Sequence, residues 1–455
     1  MDQQALQELI DSLPDGVVVT AADTVEKYRF DRSQDSGAGT PAAVVRAEDA
    51  GQVQTAVRWA ARHRVPVVPR GAGSGLSGGS SAVDGGLVLS LERMRAVQID
   101  TDCQVAVVEP GAFNAEVKAA AAEHDLWYPP DPSSYEICSI GGNIATNAGG
   151  LCCVKYGVTT DYVLGLDVVL ADGTLVTLGG KRIKDVAGLP LMKLFVGSEG
   201  TLGIVTRAIL RLVPAQSARS TMVASFASVD AAARAVVAVR RTMRPSMLEL
   251  MDHASINAVE DYRSMGLDRS TGALLVAQSD APGVARTDEV ELMRTACEVA
   301  GATEVFVTDD PDEGEMFVEA RRIAIPAIET QGALMLEDVG APVPVLPDLL
   351  AAIADVASSY DVPIPVIAHA GDGNTHPIVV FDPTDAESEK RALEAFREVM
   401  QRAIDLGGTI TGEHGVGRTK KELLPTQLGP EVMELTRRVK AALDPDGILN
   451  PGAVL

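Results

Sequence analysis

The chain has 455 residues, which is enough for two or three domains with a sizeable core. Its formal net charge of −24 disfavours nucleic acid or an anionic membrane surface as the main partner. The five cysteines form no CxxC pair, which excludes the usual cysteine-ligated zinc and iron–sulfur motifs and indicates a reduced, cytoplasmic protein. No apolar run reaches about 18 residues, so we expect no transmembrane segment. The opening residues 1–6 lack the layout of a signal peptide.

Short helices and strands are predicted around a glycine-rich segment in the first quarter of the chain. This first glycine stretch, Pro69–Gly79, contains five glycines. Glycine lets backbone N–H groups converge on an anion, because no Cβ blocks close approach or a positive φ. Periodicity predicts helices at 49–63 and 114–122 and strands at 65–68, 87–91, 97–100 and 105–108.

The first glycine stretch matches a dinucleotide-binding fingerprint only as a string. The fingerprint Gly73-x-Gly75-x-x-Gly78 requires a helix that opens at its last glycine, whereas a strand is predicted next. The Gly-Lys-Ser/Thr ending of a nucleotidase phosphate loop is also absent. On this stretch alone, a turn that binds no ligand remains an equal alternative.

Two further small-residue segments follow along the chain. The second glycine stretch, Ser139–Gly150, ends a segment from 129 that is predicted as a functional loop. Asp172-Gly173 predicts a hairpin between strands at 167–170 and 174–177. The third glycine stretch, Gly197–Gly203, precedes a strand at 204–212. Together the three stretches can hold one large phosphate-bearing cofactor through backbone and hydroxyl hydrogen bonds.

Strands and amphipathic helices alternate after Pro214. This pattern predicts an antiparallel sheet covered by helices, and hence a second domain. The predicted helices are 230–241, 286–300, 346–359 and 386–406, and the predicted strands are 247–251, 274–277 and 334–336.

Three of the six histidines lie in two turn-rich motifs. Strands at 364–368 and 378–380 flank His369 and His376, so both rings are expected at one end of a sheet. His414 directly follows Glu413 between glycines. Two imidazoles and a carboxylate form a standard divalent-metal set, and the alternative is ordinary hydrogen-bonding histidines.

The Arg321-Arg322 pair is a candidate anchor for an anionic substrate. A planar guanidinium binds a carboxylate through two parallel hydrogen bonds. The alternative for Arg321-Arg322 is a solvated helix face.

The three glycine stretches resemble the FAD-binding signatures of the vanillyl-alcohol-oxidase (VAO) type flavoproteins. Nearly the whole chain resembles their FAD-linked D-2-hydroxyacid dehydrogenases, which include D-lactate dehydrogenase, the glycolate oxidase catalytic subunit and D-2-hydroxyglutarate dehydrogenase. The resemblance implies an α+β, two-domain flavoprotein. A VAO/PCMH-type FAD-binding domain is expected over 1–215, an antiparallel-sheet cap domain of the FAD-linked oxidase C-terminal type over 216–415, and a segment returning to the FAD domain over 416–455.

The resemblance also implies how the cofactor is held. Some relatives carry a covalently flavinylated histidine where this chain has Ser74, so we expect non-covalent FAD, and His63 lies outside the loop. The implied FAD-binding residues are Arg70, Gly71, Ala72, Gly73, Ser74, Gly75, Leu76, Ser77, Pro130, Ser139, Gly141, Gly142, Ala145, Thr146, Gly149, Gly150, Glu199, Gly200, Ile204 and Asn450.

For the reaction, the resemblance implies His369, His376 and Glu413 as ligands of Zn, or of Fe or Mn. It implies His414 as the catalytic base and Arg321 as the anchor of the substrate carboxylate. The expected reaction oxidises a small D-2-hydroxy acid to the 2-oxo acid by hydride transfer to flavin N5. Leu336–Asp338 lacks the lysine that dicarboxylate-using relatives carry, which favours D-lactate or glycolate.

Alternatives remain open at this point. They are a D-2-hydroxyglutarate dehydrogenase, a non-redox FAD lyase or transferase, and a catalytically silent FAD-binding subunit. Expected electron acceptors are a quinone, an electron-transfer flavoprotein or a partner subunit. A homodimer and a location peripheral to the inner membrane are compatible with this interpretation, whereas a nucleic-acid partner is not.

Overall fold

The computed structural model describes residues 3–455, and Met1 and Asp2, the first residues of the opening that lacks a signal-peptide layout, lie outside the described residues. The chain forms two compact units. The first unit comprises the chain up to Gly149 together with 158–215 and 413–455. The second unit comprises 150–157 and 216–412.

Helices and strands are numbered here in chain order. The strands are β1 (Val18–Val19), β2 (Ala43–Arg46), β3 (Val67–Arg70), β4 (Leu87–Ser90), β5 (Val97–Asp100), β6 (Val105–Val108), β7 (Leu126–Trp127), β8 (Val163–Val169), β9 (Leu175–Gly179), β10 (Ile204–Arg211), β11 (Val213–Pro214), β12 (Ser220–Phe226), β13 (Met247–Asp252), β14 (Ala273–Ser279), β15 (Ala302–Thr308), β16 (Ala333–Leu336), β17 (Val339–Gly340), β18 (Val366–His369) and β19 (Asn374–Phe381). The helices are α1 (Gln3–Asp11), α2 (Ala22–Glu26), α3 (Ala50–His63), α4 (Asn114–Ala122), α5 (Ile140–Thr146), α6 (Cys153–Tyr156), α7 (Thr159–Tyr162), α8 (Met192–Phe195), α9 (Val229–Thr242), α10 (His253–Tyr262), α11 (Val284–Val299), α12 (Pro311–Arg322), α13 (Ala324–Glu329), α14 (Leu346–Tyr360), α15 (Ala386–Asp405) and α16 (Leu424–Leu443), and a 3₁₀ turn spans Val343–Val345.

The first unit contains a four-stranded sheet in the order β1-β2-β4-β3. Strands β2, β4 and β3 run parallel, while β1 pairs antiparallel with β2. The first glycine stretch follows β3 and leads through an irregular connection to the neighbouring strand β4, and no helix opens at Gly78. The structure thus agrees with the sequence in excluding a dinucleotide fingerprint here. Helix α3 buries its predicted apolar stripe in the same core.

A five-stranded antiparallel sheet in the order β5-β6-β10-β8-β9 forms the other part of the first unit. The hairpin predicted at Asp172-Gly173 is confirmed, because β8 pairs with β9 through partners such as Asp167 and Thr177. Ile448 and Leu449 from the end of the chain join the core around α3, and Leu449 forms a parallel bridge with Val67.

One sequence-based expectation for this unit is wrong. The segment 129–150 was predicted as a loop, but it contains helix α5. The Ser139 side chain caps α5 by accepting from the Gly142 N–H at 3.4 Å. Ile140 and Ile144, four residues apart, are fully buried in the core, and this burial outweighs the low helix propensity of the intervening glycines.

The second unit is built on an antiparallel sheet in the order β15-β12-β14-β13-β18-β19-β16, with β17 beside β19. Helices pack on this sheet, so the predicted helix-covered antiparallel architecture is confirmed. Val343–Tyr360 is long and apolar enough to cross a membrane by length and composition alone. In the structure α14 packs against α9 and α15 with Leu349 and Ile353 buried.

The short segment 150–157 packs in the second unit, although the sequence analysis included it in the first domain. Its Lys155 and Tyr156 side chains both bind the carboxylate of Asp280. Gln216 donates to the same carboxylate at 2.8 Å. These long-range polar contacts, which no local sequence pattern announces, explain the difference.

Candidate functional site

The three glycine stretches converge within the first unit. Ser139 Oγ accepts from the N–H groups of Ala72 at 3.2 Å and Gly142 at 3.4 Å, which joins the first stretch to the second. The N–H of Glu199 donates to the Ala145 carbonyl at 2.8 Å, which joins the third stretch to the second. The structure therefore brings together the segments from which a shared cofactor site was predicted.

Several glycines in these stretches are required by the chain's own packing. A Cβ at Gly73, whose φ is +74°, would lie 2.1 Å from Arg70 Nη2. A Cβ at Gly141 would lie 2.7 Å from the Pro110 side chain. Gly142 differs, because the nearest atom to its Cβ would be Ser139 Oγ at 3.4 Å. There is thus space at Gly142 for part of a bound cofactor.

The buried guanidinium of Arg418 lies beside the first glycine stretch. The Nε and Nη2 atoms of Arg418 are buried and have no hydrogen-bond partner among residues 3–455. Burial lowers the pKa of Arg418, against the attraction of Asp35 and Asp31. A Cβ at Gly78 would lie 3.4 Å from that of Arg418. Unsatisfied guanidinium donors next to a glycine-rich turn suit a phosphate group, so the first unit fits a phosphate-bearing cofactor such as FAD.

Arg418 was not among the residues selected from sequence. A single arginine in an irregular segment is an ordinary sequence feature, and only the fold places it beside the first glycine stretch. Its position four residues after His414 is the one signal that could have drawn attention to it.

Ser77 and Glu199, both predicted as FAD-binding residues, use their side chains to hold another segment of the first unit. The Glu199 carboxylate accepts from the N–H groups of Val416 at 2.7 Å and Gly417 at 2.8 Å. Ser77 Oγ donates to the carbonyl oxygens of His414 at 3.2 Å and Gly415 at 2.8 Å. These contacts position the segment that begins with Glu413 and His414.

The pKa of the Glu199 carboxyl is shifted from its ordinary value. Burial raises its pKa to about 7, although the Val416 and Gly417 N–H groups and Lys420 favour the charged form. Asn450, another predicted FAD-binding residue, donates from Nδ2 to the carbonyls of Gly79 and Glu199, both at 2.7 Å. Its side-chain amide thereby connects the first and third glycine stretches.

Other predicted FAD-binding residues take different structural roles. The Ile204 side chain lies in the hydrophobic core at the start of β10. The Pro130 carbonyl accepts from Asn114 Nδ2 at 3.2 Å, and the same amide donates to Asn143 at 3.1 Å. These two buried asparagines fix the shape of the loop before α5, and sequence reasoning did not select them.

His369 and His376 lie on neighbouring strands of the second unit. Strands β18 and β19 are antiparallel partners, so His369 at the end of one lies near His376 on the other. The ring centroids are 5.0 Å apart, in an edge-to-face arrangement, and both residues are 3% exposed. The predicted convergence of these two imidazoles is present in the structure.

Glu249 is an additional residue of this cluster. It lies on β13, is 1% exposed, and places its Oε1 and Oε2 atoms 2.8 and 2.9 Å from His369 Nδ1. Its Oε2 also lies 2.9 Å from Arg321 Nε. Sequence reasoning predicted only a strand at 247–251 and did not select Glu249, although a glutamate inside Met247–Met251 is a recognisable exception in an apolar run.

Arg321 is buried rather than solvated. It lies in the last turn of α12 and is 3% exposed, which excludes the solvated-face alternative. Its Nη2 atom is buried and has no hydrogen-bond partner among the described residues. An unsatisfied buried guanidinium donor is costly, so it points to an anionic ligand at this position.

Asp338 lies near His376 and binds Thr411 and Gly412, the last residues of the second unit. Its Oδ1 is 3.8 Å from His376 Nδ1. Its carboxylate accepts from Thr411 Oγ1 at 2.7 Å and from the Gly412 N–H at 2.9 Å. Gly412 is followed in the chain by Glu413 and His414, which belong to the first unit. Asp338 therefore anchors the residue that immediately precedes the predicted metal carboxylate.

The donor chemistry of these residues suits a divalent cation. When an Nδ1–H donates to a carboxylate, the Nε2 atom carries the lone pair that binds a metal. Glu249 imposes this arrangement on His369. The two closely spaced imidazoles of His369 and His376 are of the ligand type that zinc and iron prefer, so these two residues fit the metal that the resemblance implies.

Comparison with known protein families gives two domain matches. Residues 41–179 match the FAD binding domain, and residues 215–454 match the C-terminal domain of FAD linked oxidases. Solved structures with the same fold include p-cresol methylhydroxylase with substrate bound, at a TM-score of 0.84 and 18% identity, over 99% of this chain and 96% of that one. The 4-ethylphenol oxidase from Gulosibacter chungangensis gives a TM-score of 0.82 at 20% identity, over the same shares of the two chains. The predicted VAO/PCMH-type flavoprotein fold is confirmed.

Relatives of known name align over most of the chain. The glycolate oxidase subunit GlcD of Bacillus subtilis is 41% identical over 90% of this chain and 88% of its own length. The glycolate oxidase subunit GlcD of Escherichia coli is 38% identical over 90% of this chain and 83% of its own length. The D-lactate dehydrogenase of Archaeoglobus fulgidus is 34% identical over 94% of this chain and 96% of its own length. With these relatives, the chain belongs to the family of FAD-linked oxidases that its glycine stretches predict, and it is an FAD-dependent oxidoreductase.

Proposed function

We propose that this oxidoreductase converts a small D-2-hydroxy acid, D-lactate or glycolate, to the corresponding 2-oxo acid. The observation that carries the proposal is the buried array Arg321–Glu249–His369, in which an arginine with an unsatisfied donor lies next to a histidine of the predicted metal set. The relatives named glycolate oxidase subunit and D-lactate dehydrogenase support the same substrate class.

Arg321 binds the substrate carboxylate in this proposal. Its Nε forms an ion pair with Glu249 at 2.9 Å, and its buried Nη2 has no hydrogen-bond partner among the described residues, so Nη2 can donate to the ligand. A charge-assisted contact at a buried site orients the hydroxy acid as well as binding it.

His369, His376 and Glu413 bind a divalent cation, which is Zn or, alternatively, Fe or Mn. Such a cation, when bound, lowers the pKa of the substrate hydroxyl. Glu249 orients the His369 ring, and Asp338 holds Gly412 and with it the start of the Glu413–His414 segment. Glu249 thus restricts the orientation of one proposed metal ligand, and Asp338 restricts the segment that precedes another.

His414 takes the hydroxyl proton as the general base. Non-covalent FAD held in the first unit would supply the hydride acceptor, at its N5 atom. Loss of the hydroxyl proton to His414 and of the α-hydrogen as hydride leaves the 2-oxo acid. Glu199 and Ser77 bind the backbone around His414 and so restrict the position of the proposed base.

The second unit favours a substrate with one carboxylate. Glu337 and Asp338, which follow β16, are both fully buried acids. Glu337 stands at the position, just before Asp338, where the sequence analysis sought a lysine for a second, distal carboxylate. Without that lysine a dicarboxylate lacks a second cationic anchor, so D-2-hydroxyglutarate is the less favoured alternative.

Electrons leave the reduced flavin for an acceptor that we propose to be a quinone, an electron-transfer flavoprotein or a partner subunit. The word subunit in the names of the glycolate oxidase relatives supports the last of these. We propose a cytoplasmic location, with peripheral association to the inner membrane where a quinone is the acceptor.

Metal removal followed by reconstitution tests the proposed site. Dialysis of the FAD-loaded protein against a chelator should abolish most D-lactate oxidation with a dye acceptor, and added Zn²⁺ or Mn²⁺ should restore it. Unchanged turnover after the metal content has fallen to background would refute the metal role.

A further inference from the structure

Glu249 is a buried acid in a strand that otherwise supplies core side chains. Strand β13 lies between β14 and β18 in the second unit, and Met247, Leu248, Leu250 and Met251 around Glu249 are buried. An isolated carboxylate in such a place is strongly destabilising, whereas a carboxylate with matched partners is tolerated. Its retention at this position therefore calls for specific partners.

Those partners belong to two different parts of the proposed reaction. The Oε2 atom of Glu249 lies 2.9 Å from both His369 Nδ1 and Arg321 Nε. His369 is a proposed metal ligand, and Arg321 is the proposed substrate anchor. The three residues come from β13, β18 and α12, so the fold assembles the array from distant segments.

The charges of the array compensate each other, while His369 and Arg321 each keep an atom that can bind a ligand. Arg321 supplies one positive charge and Glu249 one negative charge, so the two charges of this ion pair compensate each other. The carboxylate accepts the Nδ1 proton of His369, which keeps the Nε2 lone pair on the opposite side of the ring. The same carboxylate engages Nε of Arg321 and leaves Nη2 without a partner among the described residues.

We propose that Glu249 is a positioning residue that couples metal binding to substrate binding. It fixes the tautomer and direction of His369 for the cation and the direction of the Arg321 guanidinium for the substrate carboxylate. Loss of its charge should therefore weaken both interactions, even though Glu249 touches neither ligand. The inference rests on the proposed function, because it assigns a role in that same site.

Glu249→Gln is the first test variant, because glutamine keeps the length and one acceptor oxygen but loses the charge. Zn²⁺ affinity is measured by chelator competition on the metal-stripped, FAD-loaded protein, and it should fall by about 10–100-fold, as for other residues that orient a metal-binding histidine. The KM for D-lactate should rise at saturating Zn²⁺. In a His369→Ala background, Glu249→Gln should cause no further loss of Zn²⁺ affinity.

Glu260→Gln is the matched control. Glu260 is also a buried acid of the second unit, and its Oε1 accepts from the N–H groups of Met265 and Leu267. This variant should change thermal stability without changing Zn²⁺ affinity or KM. Glu249→Asp, which keeps the charge, serves if the glutamine variant fails to fold, and it should show a smaller loss of Zn²⁺ affinity in the same direction.

Measurements on the wild-type protein distinguish failure of the proposed metal site from failure of the proposed role of Glu249. If it binds no Zn²⁺ under these conditions, the proposed metal site is wrong and the role of Glu249 is wrong with it. If it binds Zn²⁺ and oxidises D-lactate, while the Glu249 variants retain its Zn²⁺ affinity and KM, the coupling role alone is overturned. Equal losses in the Glu260→Gln control would also overturn it, since they would reflect general destabilisation.

Discussion

Individual buried charges define what the two units offer to a cofactor and a substrate. Arg321 and Glu249 form an ion pair in the second unit with both side chains almost fully buried. Arg418 carries unsatisfied donors in the first unit. Buried charges are costly unless partners compensate them, so each of these groups marks a place where a ligand or a fixed geometry is needed.

Arg321→Lys tests the substrate anchor at this scale. A lysine keeps the charge but cannot contact Glu249 and a carboxylate with one planar group, so kcat/KM for D-lactate should fall by about 100-fold, mainly through KM. Steady-state kinetics with a dye acceptor measure this loss. Arg322→Lys is the control, because Arg322 is less buried and pairs with Glu315; equal kinetics for the two variants would contradict the assignment.

Glu199→Gln tests a pH effect. The Glu199 pKa is raised from an ordinary value near 4.5 to about 7, so the folded protein holds a proton that the unfolded chain releases between these values. The stability associated with this proton is present below about pH 4.5 and is lost as pH rises through 7. The wild-type protein should therefore lose on the order of 1–3 kcal/mol between pH 5 and 8 relative to Glu199→Gln.

Urea unfolding of the FAD-loaded proteins at several pH values measures that difference. Glu123→Gln removes an exposed carboxylate of the same unit and controls for net charge. Parallel pH profiles for wild type and Glu199→Gln would show that the Glu199 carboxyl does not carry this proton.

Among the elements of the first unit, the glycine stretches serve the fold, and we propose that they also hold the cofactor. Gly141 admits no side chain because Pro110 fills the space, and Gly73 is required because its φ is +74°. Gly142, inside α5, leaves room next to Ser139. This contrast separates glycines that the chain needs for packing from a glycine that we assign to close approach of FAD.

Gly142→Ala uses that contrast. Alanine favours a helix interior over glycine by about 1 kcal/mol, so the FAD-free protein should be at least as stable as wild type. The new Cβ should nevertheless weaken FAD binding by about tenfold or more, equal to about 1.4 kcal/mol. Thermal unfolding without FAD and fluorescence titration with FAD give the two quantities, and an unchanged FAD affinity would remove Gly142 from the cofactor site.

Much of the element structure was predictable from sequence, for identifiable reasons. The apolar period of α3, the Asp172-Gly173 turn and the alternating pattern of β10 are local signals, and the structure confirms each. Helix α5 was missed because its glycines have low helix propensity and only tertiary burial of Ile140 and Ile144 stabilises it. Glu249 and Arg418 were missed because their partners lie far away in the sequence.

In the molecule as a whole, the chain passes between its two units at several points, and the proposed site residues belong to both units. The glycine stretches and the Glu413–His414 pair belong to the first unit, whereas the Arg321, His369 and His376 cluster belongs to the second. The motifs predicted the family because they are contiguous strings. The choice of substrate and metal depends on single side chains, which is why it remains a proposal.

Anaerobic reduction of the bound flavin tests the central claim most directly. The protein is mixed without an electron acceptor with D-lactate, glycolate, L-lactate or D-2-hydroxyglutarate, each with and without prior chelation, and the flavin absorbance is followed. The account predicts rapid bleaching by D-lactate or glycolate, little by L-lactate and D-2-hydroxyglutarate, and a much slower reaction after chelation. A flavin that no 2-hydroxy acid bleaches, in protein with full FAD and metal content, would contradict it.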